Sequence, residues 1–209
     1  MIKVGILSLG CPRNLVDSEI MLGLLKKAGY KIIDQVRLSD IAIVNTCAFI
    51  EEAKRESIDA ILELIQLKKQ GRPKALIVSG CLTQRYKKKL FNELKEVDAF
   101  VGTGNYDNIS DISKKVLNGK KVFEVGEPVF IYNHSTPRLF ITPKHFSYLK
   151  ISEGCSHRCS FCAIWKLRGK YRSRPIDSIV KEARGLSGKG VKEINLISQD
   201  STSFGEGYL

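Results

Sequence analysis

The segment Val4–Cys11 (VGILSLGC) decides the fold of the first half of the chain. Its apolar part, Val4–Leu9, has the length and continuity of a strand that is buried on both faces of a sheet. A helical pattern of apolar residues follows over Asn14–Ala28, and Gly29 stands where such a helix would stop. A strand that leads directly into a helix is the repeating unit of a parallel sheet with helices on both faces.

The same unit recurs along the first half of the chain. Apolar runs of strand length alternate with longer segments of helical period, and turn residues separate them. We therefore expect residues 1–121 to form a parallel three-layer α/β domain. The further elements predicted for it are strands at Ile41–Val44, Ala75–Val78 and Ala99–Val101, and helices at Ile50–Lys69, Gln84–Leu94 and Asn108–Leu117.

Residues 122–146 break this rhythm. They contain three prolines and no helical period, so we expect an irregular linker, with room for a hairpin. The strand–helix pattern resumes in residues 147–209, where one helix and two strands are too few to close a β/α barrel. We expect this part to be the truncated beginning of a second domain, or to need a partner to complete it. Its predicted elements are strands at Tyr148–Ile151 and Glu193–Ile197 and a helix at Ile176–Leu186.

The charge of the chain is strongly positive, with 34 Lys and Arg against 22 Asp and Glu and a formal net charge of +12. Such an excess favours acidic partners such as nucleic acid, the ribosome or an anionic surface, although dispersed cations also serve solubility alone. No apolar run approaches the roughly 20 residues that span a bilayer, and the start of the sequence lacks the features of an export signal. We expect a cytoplasmic protein without a membrane partner, whose cysteines stay reduced.

Three of the six cysteines, Cys11, Cys47 and Cys81, directly follow predicted strands. The carboxyl ends of parallel strands lie at one edge of a sheet, so we expect the three thiols to converge there. A structural zinc site needs four ligands, and this half offers no fourth cysteine or histidine nearby. A 4Fe–4S cluster with one open iron fits better. The alternative is that cysteine only supplies a small side chain at each tight turn.

The other three cysteines form the compact motif Cys155-Ser-His-Arg-Cys159-Ser-Phe-Cys162. Thiolates so spaced can each bind a different iron of one 4Fe–4S cluster, which leaves the fourth iron free to chelate a substrate. A ferredoxin motif would have a further cysteine and a proline, so simple electron transfer is disfavoured. The alternative is a zinc knuckle with His157 as fourth ligand, at an awkward spacing. Phe161 suits either a wall for a bound adenine or ordinary core packing.

The CxxxCxxC motif, with an aromatic residue before its last cysteine, resembles that of the radical S-adenosylmethionine (SAM) superfamily. A preceding domain with cysteines at strand ends narrows the resemblance to the methylthiotransferases. The branch that modifies an aspartate of a small-subunit ribosomal protein is the most similar, since the tRNA-modifying branch usually has GCQMN where this chain has GCPRN. The segments that carry the resemblance are SLGCPRNLVDSE, NTCAFIEEAKRESID, SGCLTQRY, LKISEGCSHRCSFC, LRGKYRSRP and ISQDSTSFG.

This resemblance implies two 4Fe–4S clusters and SAM as cofactors. One cluster, held by the second cysteine set, would cleave SAM to a 5′-deoxyadenosyl radical, with Phe161 beside the adenine. The first set would hold an auxiliary cluster that carries the sulfur. Residues 147–209 would begin a radical-SAM β/α partial barrel, and a chain of this length is expected to bind clusters but to be inactive alone.

The implied reaction adds a methylthio group to the β-carbon of an aspartate, without a general base. A small-subunit ribosomal protein would be the substrate, and flavodoxin or ferredoxin the kind of electron donor. The alternatives are the same chemistry on tRNA, or a non-catalytic module that binds a cluster or zinc.

Five polar residues near the second motif are further candidates, and four of them have two open interpretations. Gln199 and Asp200 follow the second strand of the partial barrel and either bind polar groups of SAM or, for Asp200, cap a helix. Arg168, Arg172 and Arg174 either hold an acidic substrate or pair with carboxylates of the barrel.

Overall fold

The first half of the chain forms one parallel sheet in the computed structural model, which describes residues 1–206. Six strands take part, and every neighbouring pair is parallel. In chain order they are β1 (Lys3–Ser8), β2 (Lys31–Ile32), β3 (Ile41–Thr46), β4 (Ala75–Gly80), β5 (Ala99–Val101) and β6 (Val122–Glu124). Their order across the sheet is β2-β1-β3-β4-β5-β6. The predicted parallel α/β architecture is confirmed.

Helices cover both faces of this sheet. They are α1 (Pro12–Lys27), α2 (Glu51–Lys69), α3 (Cys81–Tyr86), α4 (Lys88–Glu93) and α5 (Ile109–Leu117). Successive side chains of one strand enter opposite cores: Ile43 packs with α1 and α5 residues, whereas Val44 packs with α2 residues. All six residues of β3 and of β4 are buried. Burial on both faces explains why these strands are continuous apolar runs in the sequence.

Three details of this half differ from the prediction. The helix expected over Gln84–Leu94 is two short helices, because Lys87 adopts a positive φ of 46° between α3 and α4. The two-residue edge strand β2 was not predicted. Strand β6 lies in the segment predicted as linker, and its pairing with β5 extends the sheet past residue 121.

The chain between the sheet and the second half packs along α1. Over the described residues 125–145 it forms neither helix nor strand, so this segment contains no β-hairpin. The amide of Leu139 donates to the backbone oxygen of Glu19 at 2.9 Å. A Cβ on Gly23 would lie 2.4 Å from the backbone of Pro137, so this glycine permits the close approach.

The second half begins with a parallel β–α–β unit. Strands β7 (Phe146–Lys150) and β10 (Glu193–Ile197) pair over five positions, and α7 (Ile176–Gly188) connects them. An antiparallel pair of short strands, β8 (Ser152–Glu153) and β9 (Arg172–Ser173), encloses the cysteine motif and helix α6 (Ile164–Arg168). The final part of the predicted second domain, residues 207–209, lies outside the described residues. Among the described helices, none combines the length and the apolar character that crossing a membrane requires.

Candidate metal centres

The first cysteine set lies at the carboxyl edge of the parallel sheet. Strands β1, β3 and β4 are neighbours, and Cys11, Cys47 and Cys81 follow their carboxyl ends. Cys11 is the N-cap of α1, and Cys81 is the first residue of α3. Cys47 and Cys81 are buried and Cys11 is partly exposed, and none of the three forms a disulfide. The parallel topology thus brings these three residues to one edge, as predicted.

Two glycines allow the backbone to come close to this site. Gly10 has a φ of +85°, and a Cβ on it would lie 2.5 Å from Cβ and 2.9 Å from Sγ of Cys47. Gly80 has a φ of +96°, and its Cβ would lie 2.4 Å from Oδ1 of Asn45. Each glycine directly precedes a cysteine, and both positions combine a left-handed conformation with a lack of space.

Asn14 joins the elements that carry the first set. Its Nδ2 donates to the backbone oxygens of Leu9 at 3.0 Å and Thr46 at 2.8 Å, which fixes the ends of β1 and β3. Its Oδ1 lies 3.8 Å from Sγ of Cys81. The side chain is fully buried, so the strand ends are held by hydrogen bonds that water does not compete for.

Burial dominates the electrostatics of the Cys81 thiol. Burial raises the pKa of the Cys81 thiol to about 11; Arg168 opposes the rise, while Cys11 and Cys47 add to it. Metal binding therefore has to release the proton of Cys81 at neutral pH. The surroundings fit a strongly cationic group, because iron stabilises thiolates that burial and mutual repulsion disfavour.

Among the described residues, no group of three or more His, Cys, Asp or Glu side chains is placed to hold a single metal ion. Each cysteine set supplies three thiols. A structural zinc ion takes four ligands, whereas a 4Fe–4S cluster with one open iron takes three thiolates, each on a different iron. The donor chemistry, three thiols at each site, therefore suits an iron–sulfur cluster better than a zinc ion.

The second cysteine set occupies the loop between β8 and α6. The amide of Cys162 donates to the oxygen of Cys159 at 3.0 Å, and the amide of Cys155 donates to the oxygen of Gly169 at 3.0 Å. A Cβ on Gly154, whose φ is +82°, would lie 2.1 Å from the oxygen of Lys170. Cys159 is exposed and the other two thiols are partly exposed. Each cysteine of the loop is therefore at least partly accessible to solvent.

Phe161 and two cysteines of the second set border a large basic cleft of about 1190 Å³. Phe161 is 88% exposed, so it does not pack in the core. Cys159 and Cys162 line the same cleft, and Glu127 is the one acidic side chain among its described lining residues. The cationic side chains of the lining are Arg85, Lys87, Arg158, Lys166, Lys170 and Arg172.

His157 and Asp200 form a contact that anchors the cysteine loop. Nε2 of His157 lies 2.6 Å from Oδ2 of Asp200. Hydrogen bonds from Thr202, His157 and Ser203 lower the pKa of Asp200. Within the described residues Asp200 precedes turns rather than a helix, so it does not act as the helix cap considered above. Gln199 donates to Glu153 at 3.4 Å, and its buried Oε1 has no hydrogen-bond partner among residues 1–206.

A buried ion network, which the sequence analysis missed, joins the two halves of the chain. Nζ of Lys150 lies 2.6 Å from Oδ1 of Asp17 and 2.6 Å from Oε2 of Glu153. Nη1 of Arg168 lies 2.6 Å from Oδ2 of Asp17. Burial would raise the pKa of Glu153, but Lys150 and Arg168 outweigh it and hold that pKa at about 2. Two cations thus compensate two carboxylates, as burial of charge requires.

A second buried network ties the linker to both halves. Arg138 contacts Glu19 of α1 at 2.6 Å and Glu182 of α7 at 2.8 Å. Arg174 contacts Glu182 at 2.7 Å. Of the three arginines with open interpretations, Arg168 and Arg174 therefore pair with carboxylates, and only Arg172 lines the cleft. Each network has a partial signal in the sequence, namely an acidic residue on the apolar side of α1: Asp17 in the first network and Glu19 in the second.

Comparison with known families gives a separate match for each half. Residues 3–102 match the uncharacterized protein family UPF0004, and residues 149–208 match the radical SAM superfamily. Solved structures of the radical SAM methyltransferase TsrM from Kitasatospora setae superpose with TM-scores of 0.62 and 0.64 at 13% and 12% identity. They cover 96% and 95% of this chain, which spans 48% and 49% of theirs. At such identities the likeness concerns the fold alone, and it confirms the architecture predicted for both halves.

Curated relatives are far more similar in sequence. The ribosomal protein uS12 methylthiotransferase RimO of Pelobacter propionicus is 55% identical over 97% of this chain. The RimO proteins of Geotalea uraniireducens and Clostridioides difficile are 53% and 50% identical, each over 98% of the chain. The chain spans about half of the length of these relatives, 45% of the first and 46% of the other two.

Proposed function

We propose that this chain forms the cluster-binding part of an enzyme that adds a methylthio group to an aspartate β-carbon of ribosomal protein uS12. The premise is that the chain belongs to the uS12 methylthiotransferase family of the radical SAM superfamily. The observation that carries the proposal is the presence of two cysteine sets in one chain whose halves are joined by buried ion pairs. Each set has three free thiols, and buried ion pairs hold the two halves that contain them.

The second set is proposed to hold the cluster that binds SAM. The ligands would be Cys155, Cys159 and Cys162, and such a cluster, when bound, supplies the electron that cleaves SAM to a 5′-deoxyadenosyl radical. Phe161 is proposed to cover the adenine, because its exposed ring stands directly before the last ligand. The buried free oxygen of Gln199 is available to a polar group of SAM.

The first set is proposed to hold the auxiliary cluster, with Cys11, Cys47 and Cys81 as ligands. Radical transfer depends on positioning and on exclusion of water more than on acids and bases. The contribution of the chain is accordingly a fixed arrangement: Asn14 holds the strand ends, and the network around Asp17 fixes one cysteine set relative to the other.

The substrate is proposed to be a ribosomal protein rather than tRNA. The three quoted relatives carry the name of a uS12-modifying enzyme, and the sequence GCPRN at Gly10–Asn14 departs from the motif typical of the tRNA-modifying branch. A cytoplasmic location follows from such a substrate, and it agrees with six free cysteines.

The electron donor is proposed to be an acidic protein of the flavodoxin or ferredoxin kind that binds at the basic cleft. Six cationic side chains and one acidic side chain line the cleft in the described structure, and two cysteines of the second set reach its wall. Opposite charge accelerates such encounters and makes them sensitive to salt. We expect reduction of the second cluster by flavodoxin to slow with rising ionic strength and in the Lys166→Glu/Lys170→Glu variant.

The test of the proposed function compares this chain with one extended through the complete barrel. Both receive SAM, reductant and uS12 after cluster reconstitution, and mass spectrometry detects methylthiolated aspartate. We expect product from the extended chain, none from its Cys155→Ala variant, and none from the shorter chain. Product on tRNA but not on uS12 would refute the substrate, and absence of iron from both chains would refute the enzyme assignment.

A further inference from the structure

We infer that Arg168 is a positioning residue of the first cysteine site, where its guanidinium donates an N–H···S hydrogen bond to Cys81 and raises the reduction potential of the cluster held there. This inference rests on the proposed function, since it assumes a cluster at that site. It also connects the two sites. Arg168, which would tune the reduction potential at the first cysteine set, lies on the helix that follows the cysteine loop of the second set.

The two terminal nitrogens of the Arg168 guanidinium contact different groups. Nη1 lies 2.6 Å from Oδ2 of Asp17, which anchors the side chain. Nη2 points to the cysteine site, 2.5 Å from Oδ1 of Asn14 and 3.7 Å from Sγ of Cys81. The residue is 2% exposed. Water therefore does not screen the interaction between this cation and the sulfur.

The position of Arg168 in the chain connects the two sets. It is the last residue of α6, the helix that begins just after Cys162. The end of α6 is held on the sheet domain by Thr103, whose hydroxyl donates to the backbone oxygen of Leu167. A residue that follows the second cysteine loop thus lies within hydrogen-bond distance of a thiol of the first set.

The neighbouring ion pairs engage only one end of the Arg168 guanidinium. Nη1 lies 2.6 Å from Asp17 and 3.6 Å from Glu153, and Lys150 contacts the same two carboxylates at 2.6 Å each. Nη2 makes no contact with either carboxylate and faces Asn14 and the negative charge that three thiolates bring. Hydrogen bonds and positive charge at cluster sulfurs stabilise the more negative, reduced state, and this raises the reduction potential.

The experiment isolates the first cluster. In the full chain, Cys155, Cys159 and Cys162 are replaced by Ala, and Arg168, Arg168→Lys and Arg168→Met versions are reconstituted. Iron per chain and the midpoint potential, from a redox titration followed by electron paramagnetic resonance, are measured for each. We expect a more negative potential for Arg168→Met at unchanged iron content, and a smaller shift for Arg168→Lys, which keeps the charge but loses the planar pair of donors.

Arg174→Met is the matched control. Arg174 is fully buried at the same junction and pairs with Glu182, but among the described residues it has no hydrogen bond to a cysteine. We expect its potential to equal that of the parent. Equal potentials for all four versions would overturn the inference, and so would equal shifts in Arg168→Met and Arg174→Met.

If Arg168→Met loses iron, or if both Met variants fail to fold, the Arg168→Lys potential decides: a smaller negative shift supports the inference, and a value equal to the parent overturns it. A parent without iron at the first site would instead count against the proposed function.

Discussion

Nη1 of Arg168 lies 2.6 Å from Oδ2 of Asp17, and both side chains are buried. Asp17 belongs to the first helix of the sheet domain, and Arg168 belongs to the helix after the second cysteine loop. Lys150 reaches the other oxygen of the same carboxylate at 2.6 Å. One buried carboxylate therefore connects the sheet domain to two separate elements of the second half.

Removal of the Asp17 charge is expected to destabilise the chain strongly. In Asp17→Asn, Lys150 and Arg168 keep only Glu153 as a buried carboxylate partner, and breaking a buried pair costs about 3–5 kcal/mol. Denaturant unfolding at neutral pH measures the free energy of unfolding. The control is Glu63→Gln, which breaks the exposed pair with Arg37 and should cost less than about 1 kcal/mol. Similar losses in the two variants would contradict the account.

The close approach of Gly10 to Cys47 predicts a local effect on metal binding. In Gly10→Ala the new Cβ would lie 2.9 Å from Sγ of Cys47, so we expect the first site to lose iron while the second keeps about four irons. Gly119→Ala is the control, because Gly119 also has a positive φ of +75° but no described atom lies within 4 Å of its added Cβ. Equal iron loss in the two variants would mean that backbone strain, not contact with the cysteine, is responsible.

The sequence was sufficient for the parallel sheet because β1, β3 and β4 are apolar runs whose length and flanking turns are unambiguous. The same pattern placed Cys11, Cys47 and Cys81 at one edge. It could not reveal β6, a three-residue strand, or the division of a helix at Lys87, since both depend on tertiary contacts.

The buried networks were missed for a related reason. Asp17 and Lys150 come from elements far apart in the sequence, and only the docking of the two halves brings them within 2.6 Å. From the sequence, Arg168 was a candidate for an acidic substrate or for a carboxylate of the barrel, with the structural role favoured. Local pattern does not specify which buried acids an arginine will meet.

The second half is expected to be less stable than the sheet domain. In the described structure β10 pairs with β7 alone, and Leu196 is 64% exposed, whereas β3 lies between two strands with every residue buried. Hydrogen exchange should therefore show faster exchange for the amides of β10 than for those of β3. For the same reason, we expect residues 148–209 to be less stable than residues 1–117. Residues 207–209 lie outside the described structure. Equal protection of β3 and β10 would contradict this expectation.

The two cysteine sets are expected to bind independently. They lie on different elements, one at a sheet edge and one within a single loop, so replacing Cys155, Cys159 and Cys162 by Ala should leave about four irons at the first site. The reciprocal triple variant of the first set should leave about four at the second. Complete loss of iron from either variant, with circular dichroism unchanged, would mean that the six thiols form one site.

The most direct measurement is the metal content of the whole chain after anaerobic reconstitution with iron and sulfide. Two sets of three thiols predict about eight irons and about eight sulfides per chain, with the absorption and paramagnetic spectra of 4Fe–4S clusters. Stoichiometric zinc with little iron, or iron at only one of the two sets, would contradict the assignment of two clusters.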